Sequence, residues 1–210
     1  MIHRFLEIAS TPSVKAAQVA NGVGEYWDHL ESRRTRDRFT EAEIAFIAER
    51  DSFYIATSSE NGWPYIQHRG GPKGFLRVLD DKTLAFADYR GNRQYITTGN
   101  LAANDRVCLF LMDYPRRGRL KIYAHAEVKE TRDDASLADQ FAIPGYKAKV
   151  ERVMILHLEA FDWNCSQHIT PRFTEAELAE ALEPVRAHLA ELEAENMRLR
   201  EMVGKAKALT

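Results

Sequence analysis

Arg90, Asn92, Arg93 and Gln94 are the residues of this chain whose types and spacing speak most directly of chemistry. All four carry hydrogen-bond donors, they stand around Gly91, and an arginine can grip two oxygens of one phosphate at once. They fall where a strand-like run (Leu84, Phe86, Ala87) gives way to helical spacing at Tyr95, Ile96 and Leu101. A glycine turn that opens a helix leaves backbone N–H groups unpaired at the helix N-terminus, where the dipole favours anions. The stretch reads as a phosphate seat, with a solvated charged turn as the plainer alternative, and the residues alone leave both open.

The elements around it follow from periodicity. Thr40-Glu41-Ala42-Glu43 is a capping box opening a helix with Ile44, Ile47 and Ala48 on one face. The pattern then turns strand-like: Phe53 to Thr57, an Asn61-Gly62 hairpin signal, Trp63 to His68, a break at Gly70-Gly71-Pro72, and Phe75 to Leu79. After the central stretch come longer strands at Arg106–Met112 and Leu120–Val128, a helical segment over 133–148 ending near Pro144-Gly145, and a last strand from Val153 to Ala160. Short strands joined by hairpins, with helices inserted, predict a mainly β, α+β fold: a six-stranded antiparallel split barrel with peripheral helices.

Composition narrows the class. The 210 residues carry a net charge of -2 and are 45% hydrophobic, which suits one cored domain with appendages and gives no global attraction to nucleic acid or anionic lipid. No apolar run reaches the ~20 residues of a spanning helix, and no signal-like segment opens the sequence, so the expectation is a cytoplasmic chain without membrane partner. Cys108 lies in an apolar run, while Cys165 stands three residues before His168 with no further ligand or acid nearby. Residues 1–37 form an arm with a weak helix after Thr11-Pro12-Ser13; its Asn21 to Gly24 lacks the strand and third glycine of a dinucleotide fingerprint. Arg33, Arg34, Arg36 and Arg38 are a basic cluster of the kind a solvated face carries.

The tail is the most regular part. A second capping box, Thr174 to Glu177, opens a helix over 174–210 in which Leu178, Val185, Leu192 and Leu199 recur every seventh residue, as do Leu182, Leu189, Asn196 and Val203. The first set at d and the second at a make a two-stranded seam, and a lone Asn at a favours parallel, in-register pairing. Glu195 would face Arg200 of a partner helix and His188 would face Glu193. Pro184 places the start of the seam proper after it.

The order of motifs over roughly residues 40–173 resembles the pyridoxamine 5′-phosphate oxidase-like, FMN-binding split-barrel family. The resemblance rests on Ser58 to Tyr65, Gln67 to Phe75, Phe86 to Gln94 and Phe161 to His168. It implies FMN in a cleft between two subunits of a homodimer, with 38–173 as the flavin domain. The phosphate would be held by Arg69, Asn92, Arg93 and Gln94, where the family often has Lys at the last position. Backbone at His68, Gly70, Gly71 and Phe75 would run along the ring edge, with Asp88 and Tyr89 near the ribityl chain. Arg119 and Lys121 match positions given by the second subunit, and Trp163, Asn164 and Gln167 would close over the ring. The segment rich in Arg and His by which the true oxidase recognises its substrate has no counterpart in Thr170-Pro171-Arg172-Phe173. The resemblance thus implies an FMN-dependent oxidoreductase acting on a nicotinamide or small organic substrate, without catalytic side chains of its own and without pyridoxamine phosphate oxidation. The alternatives are a non-catalytic FMN storage or sensor module, and a pocket that is vestigial or holds haem or a deazaflavin.

Overall fold

A computed structural model describes residues 3–28, 35–163 and 166–207. The chain divides into two compact units, Met1–Ile169 and Thr170–Thr210.

The first unit is built on one antiparallel sheet of seven strands: β1 (Ser52–Ser58), β2 (Pro64–Gly70), β3 (Leu76–Asp80), β4 (Thr83–Tyr89), β5 (Arg106–Asp113), β6 (Gly118–Glu130) and β7 (Val150–Trp163). Their order is β2-β1-β5-β6-β7-β4-β3. The expected split barrel is present with seven strands where six were expected: every one of the seven strand-like runs of the sequence forms a strand, the run at 76–80 pairing with β4 at the sheet edge. The sheet must curl. Its edges, β2 and β3, are joined by only five residues, which span at most ~20 Å. Seven flat strands would set those edges ~29 Å apart.

Alternation along the strands supplies the core. On β5, Val107, Leu109 and Leu111 point inward; on β6, Leu120, Ile122 and Ala124 do. These meet Leu84, Phe86, Met154, Leu156 and Phe161, all fully buried. Phe53 stacks on Phe75 and meets Phe86 edge-on. A Cβ on Gly71 would sit 2.9 Å from the Phe75 ring, so the glycine is required by that ring. Gly62 takes φ +85° in the Asn61-Gly62 hairpin, as expected from the dipeptide.

Helices close the ends. In α4 (Glu41–Ala48) the capping box forms: the Glu43 carboxylate accepts from Thr40 N and Oγ1, at 2.9 and 2.6 Å. Its other oxygen accepts from Trp163 Nε1 at 2.8 Å, tying the helix start to the end of β7. Ile47 is buried, whereas Ile44 stays 39% exposed. Next, α5 (Ile96–Ala103) is held by Asn100 donating to Thr57 Oγ1 at 2.9 Å. The segment predicted helical over 133–148 is shorter, α6 (Ala135–Phe141): Ala142 is extended, and Pro144 disfavours helix in the residue before it.

The arm contributes α1 (Arg4–Ala9), α2 (Pro12–Ala20, capped by Thr11 as the Thr-Pro-Ser signal predicts) and α3 (Gly24–Asp28). It docks through Phe5, stacked on Tyr123 with centroids 4.4 Å apart, and through Asp162, which pairs with Arg36 at 2.7 Å.

The second unit is α7 (Glu175–Lys207), 33 residues running through Pro184. Its predicted capping box is present, Glu177 accepting from Thr174 N and Oγ1 and Thr174 Oγ1 from Glu177 N. The apolar a and d residues from Leu178 to Val203 are 45–63% exposed.

Candidate phosphate-binding cleft

Where the barrel is split, β2 faces the ends of β4 and β7 across a polar cleft of about 40 Å³. Strand register decides who stands there. Arg69 comes from β2; Asp88 from β4 is paired in register with Arg152 on β7. The Asp88 carboxylate holds both cations, with Arg69 at 2.7 Å and Arg152 Nε at 3.3 Å. Gln67 on β2 accepts from Thr97 of α5 at 2.8 Å, a second tie across the split.

The turn 90–95 forms the rim. Asn92 Oδ1 accepts from Gln94 N at 3.1 Å, and its amide donates to Gln94 Oε1 at 3.2 Å. Arg93 (φ 60°) and Tyr95 (φ 52°) are left-handed without being glycine, a conformation costing on the order of 1–3 kcal/mol that tends to gather at binding sites. Arg93 lines the cleft and makes no ion pair among the described residues. Arg90 points to Glu151 instead, at 2.6 Å. The N-cap of α5, Tyr95, supplies no side-chain hydrogen bond to the first turn; its ring lies over the Arg152 guanidinium, 4.7 Å to the centroid.

The donor set fits a phosphate. Arg69 Nε and Arg152 Nε are both buried without a hydrogen-bond partner, although a buried guanidinium N–H ordinarily has one. Three guanidinium groups, Arg69, Arg93 and Arg152, face two carboxylates, Asp88 and Glu151, leaving the cleft net positive. Burial raises the Asp88 pKa, outweighing the pull of Arg69 and Arg152. Glu151, hydrogen-bonded by Arg90, is shifted down. Burial also raises the Tyr89 phenol, whose buried oxygen has no hydrogen-bond partner.

Of the residues singled out in the sequence, Arg69, Asp88, Tyr89, Asn92 and Arg93 therefore meet in one cleft, with Gln94 hydrogen-bonded to Asn92 at its rim. The others stand elsewhere. His68 is exposed on the opposite face of β2, edge-on to Tyr54. Gly70 and Gly71 follow Arg69, but the Phe75 side chain is core, so it can offer a ligand only backbone. Arg119 and Lys121 project from the outer face of β6, over the rings of Phe110 and Phe5. Lys121 also pairs with Asp162 at 2.8 Å. Trp163 packs edge-on against Phe46, and Gln167 is exposed. Asn164 and Cys165 lie outside the described residues. Among the described residues no cluster of His, Cys, Asp or Glu has the makings of a metal site.

Sequence reading missed Gln67, Thr97, Glu151 and Arg152. Gln67 sits two residues from Arg69 on the same face of β2, so strand period alone could have found it. Arg152 carried no local signal, because β7 brings it beside Asp88 across 64 positions of chain.

No curated protein matches the chain at a significant level. Solved structures of similar fold include an FMN-binding protein from Syntrophomonas wolfei (14% identity, 70% of this chain and 97% of that one, TM-score 0.43). Another is a Clostridium acetobutylicum protein related to general stress protein 26 and described as of the pyridoxinephosphate oxidase family (15%, 65% and 94%, 0.45). A third is general stress protein 26 of Bacillus anthracis (14%, 63% and 95%, 0.44). Likenesses of this size fix neither ligand nor activity. The family model described as pyridoxamine 5′-phosphate oxidase, however, matches residues 39–158, from the start of α4 into β7. That span is more than half of the chain and contains the whole cleft: the protein belongs to the pyridoxamine 5′-phosphate oxidase family.

Proposed function

We propose that this chain is a flavoprotein that holds FMN by its phosphate in the cleft at the barrel split and works as an oxidoreductase. The observation that carries the reading is the cluster of Arg69, Arg93 and Arg152, in which the buried Nε–H groups of Arg69 and Arg152 make no hydrogen bond, although the Arg152 Nε lies 3.3 Å from the Asp88 carboxylate. Bound flavin would supply hydride and single-electron chemistry, while the protein supplies binding and orientation. Arg69, Asn92, Arg93 and Gln94 would hold the phosphate; Asp88 and Tyr89 would lie toward the ribityl chain.

The site is completed by a second copy. Arg119 and Lys121 do not line the cleft of their own chain, and supply from the other subunit is what their family positions imply; Trp163 and Gln167 would close over the ring from the end of the barrel. The seam on α7 gives such a homodimer a second means of association. Pyridoxamine phosphate oxidation is not part of the proposal, since Thr170 to Phe173 follows the last strand where the substrate-binding segment would stand.

The test is a visible spectrum of the purified protein, then NADH or NADPH added under anaerobic conditions. Flavin absorbance that bleaches with the reductant is expected. A bound flavin untouched by any reductant would make the chain a storage or sensor module; a colourless protein that takes up no FMN would end the reading.

A further inference from the structure

We infer that the ligand extends beyond the FMN phosphate: a second groove takes the second phosphate and purine nucleoside of a pyrophosphate-linked flavin dinucleotide, whose FMN half occupies the seat. This rests on the phosphate-seat reading above and adds the length of the ligand to it. The groove, about 680 Å³, adjoins the cleft and shares Tyr95, Thr98, Glu151 and Arg152 with it, so it begins where the first phosphate would end. Four cations line it, Arg90, Arg132, Lys149 and Arg152, against two carboxylates, Glu130 and Glu151.

Both carboxylates are already engaged. Glu151 pairs with Arg90 and Arg152, and Glu130 with Arg152 at 3.7 Å and Arg132 at 3.8 Å. Lys149 is exposed and makes no ion pair among the described residues. Arg152 joins the two spaces: its side chain is only 6% exposed, it borders both, and its Nε, though flanked by the carboxylates of Asp88 and Glu130, makes no hydrogen bond. The two phosphates of a pyrophosphate are neighbours, and one guanidinium can bond both. Tyr95 adds a surface for the purine. One side of its ring rests on Arg152, and the residue is 46% exposed. The wall beyond it is small, Thr98, Gly99 and Ala102 of α5.

Full-length protein freed of flavin is titrated with FMN and with FAD. FAD should bind at least about tenfold tighter than FMN. An R132E/K149E variant, altered only at exposed positions, should lose that advantage and keep its FMN affinity; Lys149→Glu alone should move the ratio the same way. FMN bound as tightly as FAD by the unaltered chain, or a ratio that survives both variants, overturns the inference and leaves the phosphate seat standing. Uptake of neither flavin removes the seat and this inference together.

Discussion

Arg93 and Asp88 do opposite work in the cleft. Arg93 is a rim cation with no ion pair among the described residues, held at φ 60°. Replacing it with Ala should weaken FMN by about 2 kcal/mol, the size of a lost charge-assisted contact, while riboflavin, which lacks the phosphate, is unaffected. Comparative titrations check this, and equal losses for both ligands would mean that Arg93 shapes the turn and does not meet the phosphate. Asp88 stands in for an anion, neutralising Arg69 and Arg152. Its raised pKa means that the folded chain keeps a proton the unfolded chain has released, so this group's stability contribution falls as pH rises above the ordinary Asp value of 3.8. A phosphate beside it pushes the pKa further up, so FMN affinity should weaken as pH rises from the raised value of the flavin-free protein toward the still higher one in the complex. Asp88→Asn should flatten that dependence and lower the melting temperature of the flavin-free protein, since buried Arg69 loses its counter-ion and Arg152 one of three. An unchanged pH profile in the variant would place the phosphate away from Asp88. The turn with Arg93 was legible in the sequence because its residues are consecutive; Arg69 came from the family resemblance alone, and Arg152 was not legible, because only strand pairing makes it a neighbour of Asp88.

At the scale of elements, the two capping boxes were readable from four residues each, because a cap is satisfied locally. What α4 does with its cap was hidden. Glu43 serves Thr40 and also Trp163, 120 positions away. Glu43→Ala should therefore cost more than an exposed cap, about 3 kcal/mol with the indole N–H left unpaired, measured by chemical denaturation. A cost near 1 kcal/mol would mean that the Trp163 bond contributes little. The strands were legible from alternation, the short edge strand β3 included, although the barrel was expected to close with six. The helix over 133–148 was overdrawn because apolar spacing continues past Phe141 where Pro144 forbids the helix. On α7, Asn196→Leu should stabilise the seam and relax its preference for two parallel strands. Light scattering should show a dimer for the unaltered chain and a wider range of assemblies for the variant; monomers in both would refute the intermolecular seam.

For the molecule as a whole, curling a sheet whose edges are five residues apart brings polar residues of β2 against the Asp88–Arg152 pair of β4 and β7 across the split. The barrel keeps its apolar face inside, and its buried charges stand at the margins: Asp88 and Arg152 at the split, Arg50 and Asp113 beside α4. No helix among the described residues is long and apolar enough to cross a membrane. The stretch that the family model matches spans the barrel, the cleft and the groove beyond, Tyr95 and Arg152 included. The claim under all of this is that the cleft recognises a phosphate on a flavin. Equilibrium titration of flavin-free protein with FMN and with riboflavin tests it most directly. FMN should bind more tightly by about two orders of magnitude, the worth of roughly 3 kcal/mol of charge-assisted contacts, and equal affinities, or no uptake of either, would contradict it.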